Sequence, residues 1–282
     1  MQAQGWAARL QLGFEAHGGH TCLTQRSHEG PLLVQKPLYP EAAPAAPPGT
    51  RAAPCHLYII HPPGGVVGGD RLALEVRVQQ GAHALLTTPA AGKFYRCAGE
   101  SIGRLQQSFE VAGLLEWLPQ ENIFYSGCRS ELTTRVRIEA GGRFIGWELG
   151  CLGLPASARP LDSGELRQCI ELRHEQRLLL LERLRIEPAC LAPRWGLAGQ
   201  VALGMLLAYP AEQALLAEVR ARVETLDCAG VSLACTLVDG VLACRGQALR
   251  TDRLRETFVQ LWSALRPALA GRSAVRPRIW ST

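Results

Sequence analysis

The chain has 282 residues, of which 47% are hydrophobic and 20% charged, and its 30 basic and 25 acidic residues leave a net charge of +5. This composition excludes a disordered, collagen-like or coiled-coil protein. Strand-rich chains of this length often fold as one unit, so we expect a single domain over residues 1–282. The longest apolar run, at 197–209, is shorter than the roughly 20 residues of a transmembrane helix, so no membrane partner is expected.

Compartment and partner class are predicted from the first residues and from the charge pattern. The N-terminal residues lack the charged and apolar regions of a secretory signal, so we expect a cytoplasmic protein. The ten cysteines are then expected to be mostly reduced thiols. Arginines are interleaved with glutamates, as at 171–187, instead of forming a basic face, so nucleic acid is not an expected partner.

The first third of the chain predicts strands followed by a loop. Two or three strands are expected before residue 40, broken at Gly18–Gly19 and at Gly30–Pro31. Residues 40–54, PEAAPAAPPGTRAAP, are rich in proline, which neither donates to a strand ladder nor continues a helix. We therefore expect an exposed, extended loop there.

The middle of the chain predicts an all-β region. Short β-branched or aromatic runs alternate with glycines from His56 to about Gly153, which is typical of a meander, a sandwich or a solenoid. Another strand-rich stretch ends near Ile186, and within it residues 178–181 are equally compatible with a helix. The runs that carry this interpretation are CHLYIIH, RLALEVRVQ, HALLTTP, RLQQSFEV, LLEWLP, LTTRVRIEA and RFIGWELG.

The last third predicts a strand, helix, hairpin, helix subdomain over residues 201–270. The strand VALGMLLAY precedes an amphipathic helix whose apolar residues Leu215, Val219, Val223 and Leu226 recur at helical spacing. Asp239–Gly240 predicts a tight hairpin turn, because this dipeptide tolerates positive φ angles. A second helix follows with Thr251 as its expected N-cap. We expect both helices to pack on a small sheet, with one apolar face of the second helix formed by Leu254, Phe258, Leu261, Trp262 and Leu265.

The glycine-rich segment HPPGGVVGGDRL, at 61–72, leaves two interpretations open. Its backbone amides have the freedom to cradle a phosphate, but it matches neither the Walker pattern nor the dinucleotide fingerprint. The alternative is a tight turn where two backbone segments approach closely. The later string TTPAAGKFYR likewise contains Gly92–Lys93 without the hydroxyl residue that a phosphate loop needs next.

Catalytic and metal signatures are weak. The seven histidines lack zinc-site spacing, and the sequence contains neither C-x-x-C nor a nucleophile elbow, so hydrolase chemistry is not expected. Three carboxylates, Glu116, Glu148 and Glu182, lie inside otherwise apolar strands. A buried carboxylate needs a partner, whereas a carboxylate on a solvent-facing strand position does not, and both placements stay open here.

Six strings occur in an order that resembles the UreD family of urease accessory proteins, called UreH in some bacteria: HPPGGVVGGDRL, TTPAAGKFYR, LEWLPQENIFYSG, GWELGCLGLPAS, ERLRI and PRIW. The resemblance runs from about residue 10 to the C-terminus. It implies a non-catalytic scaffold that binds urease apoprotein with UreF and the GTPase UreG and helps deliver nickel. It also implies a mainly β fold, an irregular β-helix-like stack of strands with two C-terminal α-helices, and an internal channel for the ion.

The chemistry of nickel restricts which residues such a channel can use. Thiolates or several histidines together hold Ni²⁺ too tightly for release, whereas scattered oxygen ligands let a transient ion move on. We therefore expect transient Ni²⁺ and no tightly bound cofactor, with a path formed by Asp70, Thr87, Thr88, Glu148 and Glu182, followed by His61 and Glu121. Two alternatives remain: an enzyme that binds a phosphorylated or nucleotide substrate at the Gly64–Gly69 loop, and an adaptor that only docks its partners.

Overall fold

The computed structural model describes residues 5–41, 52–226 and 229–281. In chain order its strands are β1 (Ala7–His17), β2 (His20–Glu29), β3 (Leu33–Val34), β4 (Cys55–Ile60), β5 (Arg71–Val78), β6 (His83–Thr87), β7 (Gly92–Phe94), β8 (Gly103–Val111), β9 (Leu114–Trp117), β10 (Asn122–Phe124), β11 (Cys128–Ile138), β12 (Arg143–Leu152), β13 (Gly164–His174), β14 (Arg177–Ile186), β15 (Ala202–Tyr209), β16 (Val231–Val238) and β17 (Val241–Ala248). The α-helices are α1 (Gln213–Thr225) and α2 (Thr251–Ala270).

The strands form two stacked sheets. The seven-stranded sheet has the order β14-β13-β11-β8-β5-β1-β2. The ten-stranded sheet has the order β16-β17-β15-β12-β9-β6-β4-β3, and its remaining two strands lie off this path, with β10 paired to β12 and β7 paired to β10. From β4 to β13 the chain alternates between the sheets, apart from the short strands β7 and β10, and each new strand pairs in parallel with the previous one in its sheet. The expected mainly β, β-helix-like architecture is therefore confirmed.

The core lies between the sheets because the parallel strands stack in register. In the seven-stranded sheet, Val76, Phe109, Val136 and Leu172 occupy successive paired positions, and all four are buried. Such a ladder presents one continuous apolar surface to the opposite sheet, which is how parallel sheets are normally covered. The strand prediction also holds at residues 178–181, which lie in β14 and are not helical.

The C-terminal region confirms the expected order of elements, with two differences. The hairpin turn has φ angles of 48° at Asp239 and 77° at Gly240, and α2 buries its expected apolar face. However, β15, β16 and β17 extend the ten-stranded sheet instead of forming a separate small one. Thr251 is not the N-cap, because the helix begins at Thr251 itself and Arg250 occupies the N-cap position without a side-chain capping hydrogen bond.

The N-terminal strands β1 to β3 break at the predicted glycines. The loop prediction for 40–54 was wrong at the described ends of that segment, because Glu41 and Ala53 are buried, with 7% and 0% of their surface exposed. Ala53 exchanges backbone hydrogen bonds with the β1–β2 hairpin, and Glu41 pairs with α2, which accounts for their burial. Residues 42–51 lie outside the described residues. Along the described ranges, no helix combines the length and the apolar character that crossing a membrane requires.

Candidate functional site: two cavities that share Glu148

Two cavities lie between the sheets. The first, of about 220 Å³, extends from the glycine-rich segment to Glu148, and the second, of about 170 Å³, extends from Glu148 to β14. Both are lined by Glu148 and Asn122, so these two side chains border both cavities. The exposed residues Gly64 and Ala90 line the first cavity and the exposed Arg183 lines the second, so each cavity reaches the surface at its outer end.

Glu148 bridges the two sheets through one of its carboxylate oxygens. Its Oε1 accepts hydrogen bonds from Thr134 Oγ1 at 2.8 Å, Gln107 Nε2 at 3.2 Å and Trp117 Nε1 at 3.3 Å. Its Oε2 is buried and has no hydrogen-bond partner in the protein. Burial raises the pKa of the Glu148 carboxyl above its usual range, against the lowering effect of the three donors, with Thr134 first among them.

The unpartnered Oε2 is the chemically reactive feature of this site. Buried polar atoms in proteins are nearly always satisfied, so an unsatisfied carboxylate oxygen beside a cavity requires an explanation. A raised pKa favours a proton on the carboxyl, and a divalent cation that replaces this proton gains an oxygen ligand in a weakly polar environment. A single carboxylate provides few ligands, which is suited to passage and not to permanent binding.

The local sequence GWELG explains why space surrounds this carboxylate. On β12 the residues Ile145, Trp147 and Leu149 pack in the apolar cluster beneath the helices, and Glu148 therefore points between the sheets. The neighbours on the same face of the strand are Gly146 and Gly150, which have no side chains. A Cβ atom at Gly146 would lie 2.4 Å from the Phe144 ring, so this position is closed to larger residues.

Three other predicted residues line these cavities. His61 and Thr88 line the first cavity, and Glu182 lines the second. Burial lowers the pKa of the His61 imidazole, an effect that the nearby Asp70 charge opposes, so the neutral form able to bind a metal is favoured. Thr88 Oγ1 accepts a hydrogen bond from Gln120 N at 2.9 Å. Glu182 forms an ion pair with Arg245 at the far end of the second cavity.

Three predicted residues are not brought into the cavities. Asp70 accepts hydrogen bonds from Trp6 N and Val67 N, each at 2.8 Å, and so fastens the glycine-rich segment to the N-terminal strand. Thr87 Oγ1 donates a hydrogen bond to Leu118 O at 2.6 Å and accepts one from Trp280 Nε1 at 2.9 Å. Glu121 lines neither cavity. The sequence marks these residues as polar groups next to strands, but it does not reveal that the oxygens of the first two are already occupied.

The glycine-rich segment is a tight turn and is not an open cradle. The amides of Gly64, Val66, Gly69 and Asp70 donate to backbone carbonyls, and the amide of Val67 donates to the Asp70 carboxylate. Close packing gives a second reason for the glycines, because a Cβ at Gly65 would lie 2.2 Å from the Tyr95 ring. Amides that are already bonded within the protein are not available to a phosphate, so the close-approach interpretation is the one that the structure supports.

A second polar group contains Glu116 but was otherwise missed by the sequence analysis. We name it the buried charge cluster, and it lies on the opposite face of the ten-stranded sheet, beneath α2. Its members are Glu41, His56, His83, Glu116 and Arg266.

Arg266 lies at the centre of this cluster. It donates to Glu116 at 3.0 Å and to Glu41 at 2.6 Å, and these carboxylates also hydrogen-bond His83 and His56, respectively. Burial alone would raise the pKa of Glu116, but His83 and the Arg266 charge outweigh it and lower that pKa to about 2. The signal in the sequence is the position of Arg266, which follows Leu254, Phe258 and Trp262 at four-residue intervals on the apolar face.

A resident metal centre of the usual kind is not found. In the three described ranges, no group of three or more His, Cys, Asp or Glu side chains is arranged to hold a metal ion. Two buried oxygens that line the first cavity have no hydrogen-bond partner, namely Glu148 Oε2 and Gln107 Oε1.

The comparisons with known proteins point to one family. A family profile described as UreD urease accessory protein matches residues 7–281. The urease accessory protein UreD of Pseudomonas putida KT2440 is 42% identical over 280 residues, which cover 99% of this chain and 95% of that protein. The proteins of the same name from Alkalilimnicola ehrlichii and Escherichia coli are 41% and 39% identical, and the matches cover 99% of this chain and 92% and 98% of those proteins.

Proposed function

Because this chain belongs to the UreD family of urease accessory proteins, we propose that it acts in the cytoplasm as a non-catalytic chaperone of urease maturation. In this proposal it binds urease apoprotein together with UreF and, through UreF, the GTPase UreG. The complex then helps to insert nickel into the urease active site, and the ion is a transient cargo of this chain.

The observation that carries the nickel step is the unpartnered Oε2 of Glu148, a residue that lines both cavities. A cation that enters near His61 and Thr88 meets Glu148 next, and Glu182 lies beyond it. Because burial favours the protonated form of Glu148, binding of the ion to this carboxylate competes with binding of a proton. Because each step supplies few ligands, the ion is attracted along the path without being trapped.

Two features favour conduction over catalysis. The glycine-rich segment has most of its amides bonded within the protein, which removes the main support for a phosphate-binding enzyme. The residues around Glu148 are mostly apolar, with Gln107, Trp117 and Thr134 all engaged on its Oε1, so no nucleophile and base are paired there.

The test is activation of urease in cells that carry the urease operon without the gene for this chain. Supplying the wild-type chain is expected to restore both urease activity and nickel content. Glu148→Gln keeps the shape of the side chain and removes its charge, and we expect it to reduce nickel content and activity at least tenfold. The matched control is Glu110→Gln, which changes an exposed carboxylate on the seven-stranded sheet and is expected to restore activation fully.

The outcomes separate the parts of the proposal. Full activation by Glu148→Gln would contradict the nickel path and leave an adaptor that only docks urease and its partners. Failure of the wild-type chain to restore activation, with the chain expressed and folded, would contradict the role in urease maturation itself.

A further inference from the structure

Two cysteines face each other across the C-terminal hairpin. Cys235 of β16 is paired directly with Cys244 of β17, and the Cys244 thiol interacts with the Cys235 sulfur. Elsewhere in the described ranges, no strand pairing sets one cysteine opposite another. This pair is thus distinguished by register and not only by residue type.

The register of the hairpin places this pair at a position that suits a disulfide. The two-residue turn at Asp239–Gly240 makes Val238 and Val241 a hydrogen-bonded pair, and pair types alternate along antiparallel strands. Counting outward in the register, Cys235 and Cys244 form a non-hydrogen-bonded pair, whose Cα atoms are typically about 4.5 Å apart. A disulfide requires a Cα separation of about 4.4–6.8 Å, so the bond can form without moving the strands.

The surroundings give the two thiols different roles. Cys235 lies on the edge strand of the sheet and is 8% exposed, whereas Cys244 is completely buried between β15 and β16. Arg220 of α1 donates to Cys235 O at 2.9 Å and brings a positive charge to this side. The hydrogen bond from Cys244, together with the Arg220 charge and against burial, lowers the pKa of the Cys235 thiol, and the same hydrogen bond raises the pKa of Cys244.

We propose that Cys235 and Cys244 are a redox modification site, which a small disulfide of the glutathione class oxidises reversibly to a cross-strand disulfide. The Cys235 thiolate attacks one sulfur of oxidised glutathione and releases one glutathione thiolate. The Cys244 thiolate then attacks the Cys235 sulfur of the mixed disulfide and releases the second. The two cysteines lose two electrons and two protons, and both end on the two molecules of reduced glutathione.

The experiment uses the native full-length chain, oxidised glutathione and mass spectrometry. After incubation, free thiols are blocked and the chain is digested with a protease that cleaves before aspartate. Cleavage before Asp227, Asp239 and Asp252 places Cys235 and Cys244 in adjacent, separate peptides. We expect the free thiol count to fall from the ten of the sequence to eight, and the two peptides to be joined by a bond that a reductant breaks.

Variants assign the chemistry to these two residues. Cys244→Ser is expected to accumulate one glutathione adduct on Cys235, because the second thiolate is missing. Cys235→Ser is expected to retain all its thiols, and it also serves if Cys244→Ser fails to fold. The matched control is Cys228→Ser, which removes the third cysteine of this segment and should leave the cross-link intact.

Two results would overturn the proposal. One is a native chain that keeps all ten thiols in excess oxidised glutathione. The other is a disulfide that forms through Cys228, which the Cys228→Ser variant would abolish.

Discussion

The substitution Arg266→Met tests the energetic role of the buried charge cluster. It keeps the apolar stem of the side chain and removes the guanidinium that faces Glu41 and Glu116, so both carboxylates stay buried without their cation. Lowering of the Glu116 pKa from 4.5 to about 2 corresponds to about 3 kcal/mol of stabilisation at neutral pH, to which the His83 hydrogen bond contributes first and the Arg266 charge next. Removal of one partner from a buried ion pair typically costs about 3–5 kcal/mol. We expect a loss of this size in the free energy of unfolding.

Urea unfolding at pH 7, followed by far-ultraviolet circular dichroism, measures this loss. The matched control is Arg245→Met, which breaks the partly exposed pair with Glu182 and is expected to cost no more than about 1 kcal/mol. A loss for Arg266→Met as small as that of the control would refute the reasoning. Adding Glu116→Gln to Arg266→Met should recover part of the loss, because the uncompensated charge is removed, and purely additive losses would also contradict the argument.

The pH dependence of this loss has a definite sign. A carboxyl whose pKa is lowered on folding stabilises the folded state above its ordinary pKa, and the stabilisation is lost as the pH falls towards the lowered value. For Glu116 the window therefore runs from about pH 4.5 down to about pH 2. Without Arg266, only His83 and Trp262 act against burial, so the pKa of Glu116 should lie higher than in the wild type. The difference in stability between wild type and Arg266→Met should thus narrow as the pH falls below 5.

Two further predictions concern Glu148 and the glycines beside it. Because burial raises the pKa of Glu148, the wild type should lose stability as the pH rises through that raised value. Glu148→Gln should therefore have the higher melting temperature at pH 8 and lose this advantage near pH 4. Equal melting temperatures at pH 8 would contradict a buried, unsatisfied carboxylate. Gly146→Ala should lower the free energy of unfolding by about 1–3 kcal/mol, since its Cβ would collide with the Phe144 ring. Gly150→Ala, whose Cβ would have its nearest contact at 3.3 Å, should lower the free energy of unfolding by less in the same urea titration. An unchanged urea midpoint for Gly146→Ala would show that the ring moves freely.

The regular elements could be predicted from the sequence because their signals are local. Alternation of apolar residues marks the strands, and the pair Asp239–Gly240 marks a turn whose φ angles are positive. Local patterns did not reveal that the hairpin extends the ten-stranded sheet, because strand neighbours are decided by tertiary packing. The same limit applies to Glu41, whose burial depends on α2 and not on the proline-rich residues that follow it in the sequence.

The residues that line the cavities could be predicted only in part. The apolar neighbours of Glu148 left a buried and a solvent-facing placement open, and they do not distinguish its unpartnered oxygen from the hydrogen-bonded oxygens of Asp70. Glu116 shows the other side of this limit, because it carries the same sequence signal as Glu148 but faces the helices instead of the cavities. Which face of a sheet becomes the interior depends on partners that are distant in the chain.

The pairing of Arg266 with Glu41 joins positions that are 225 residues apart, and this separation determines when the protein can finish folding. Ribosomes make the N-terminal side of the chain first, so Glu41 and Glu116 are synthesised long before their arginine. Until the final helix docks, one side of the growing sheet presents acids and uncovered apolar surface to the solvent. Completion of the fold is therefore a late event in the synthesis of this protein, and chains that stop before residue 266 are expected to aggregate or to be degraded.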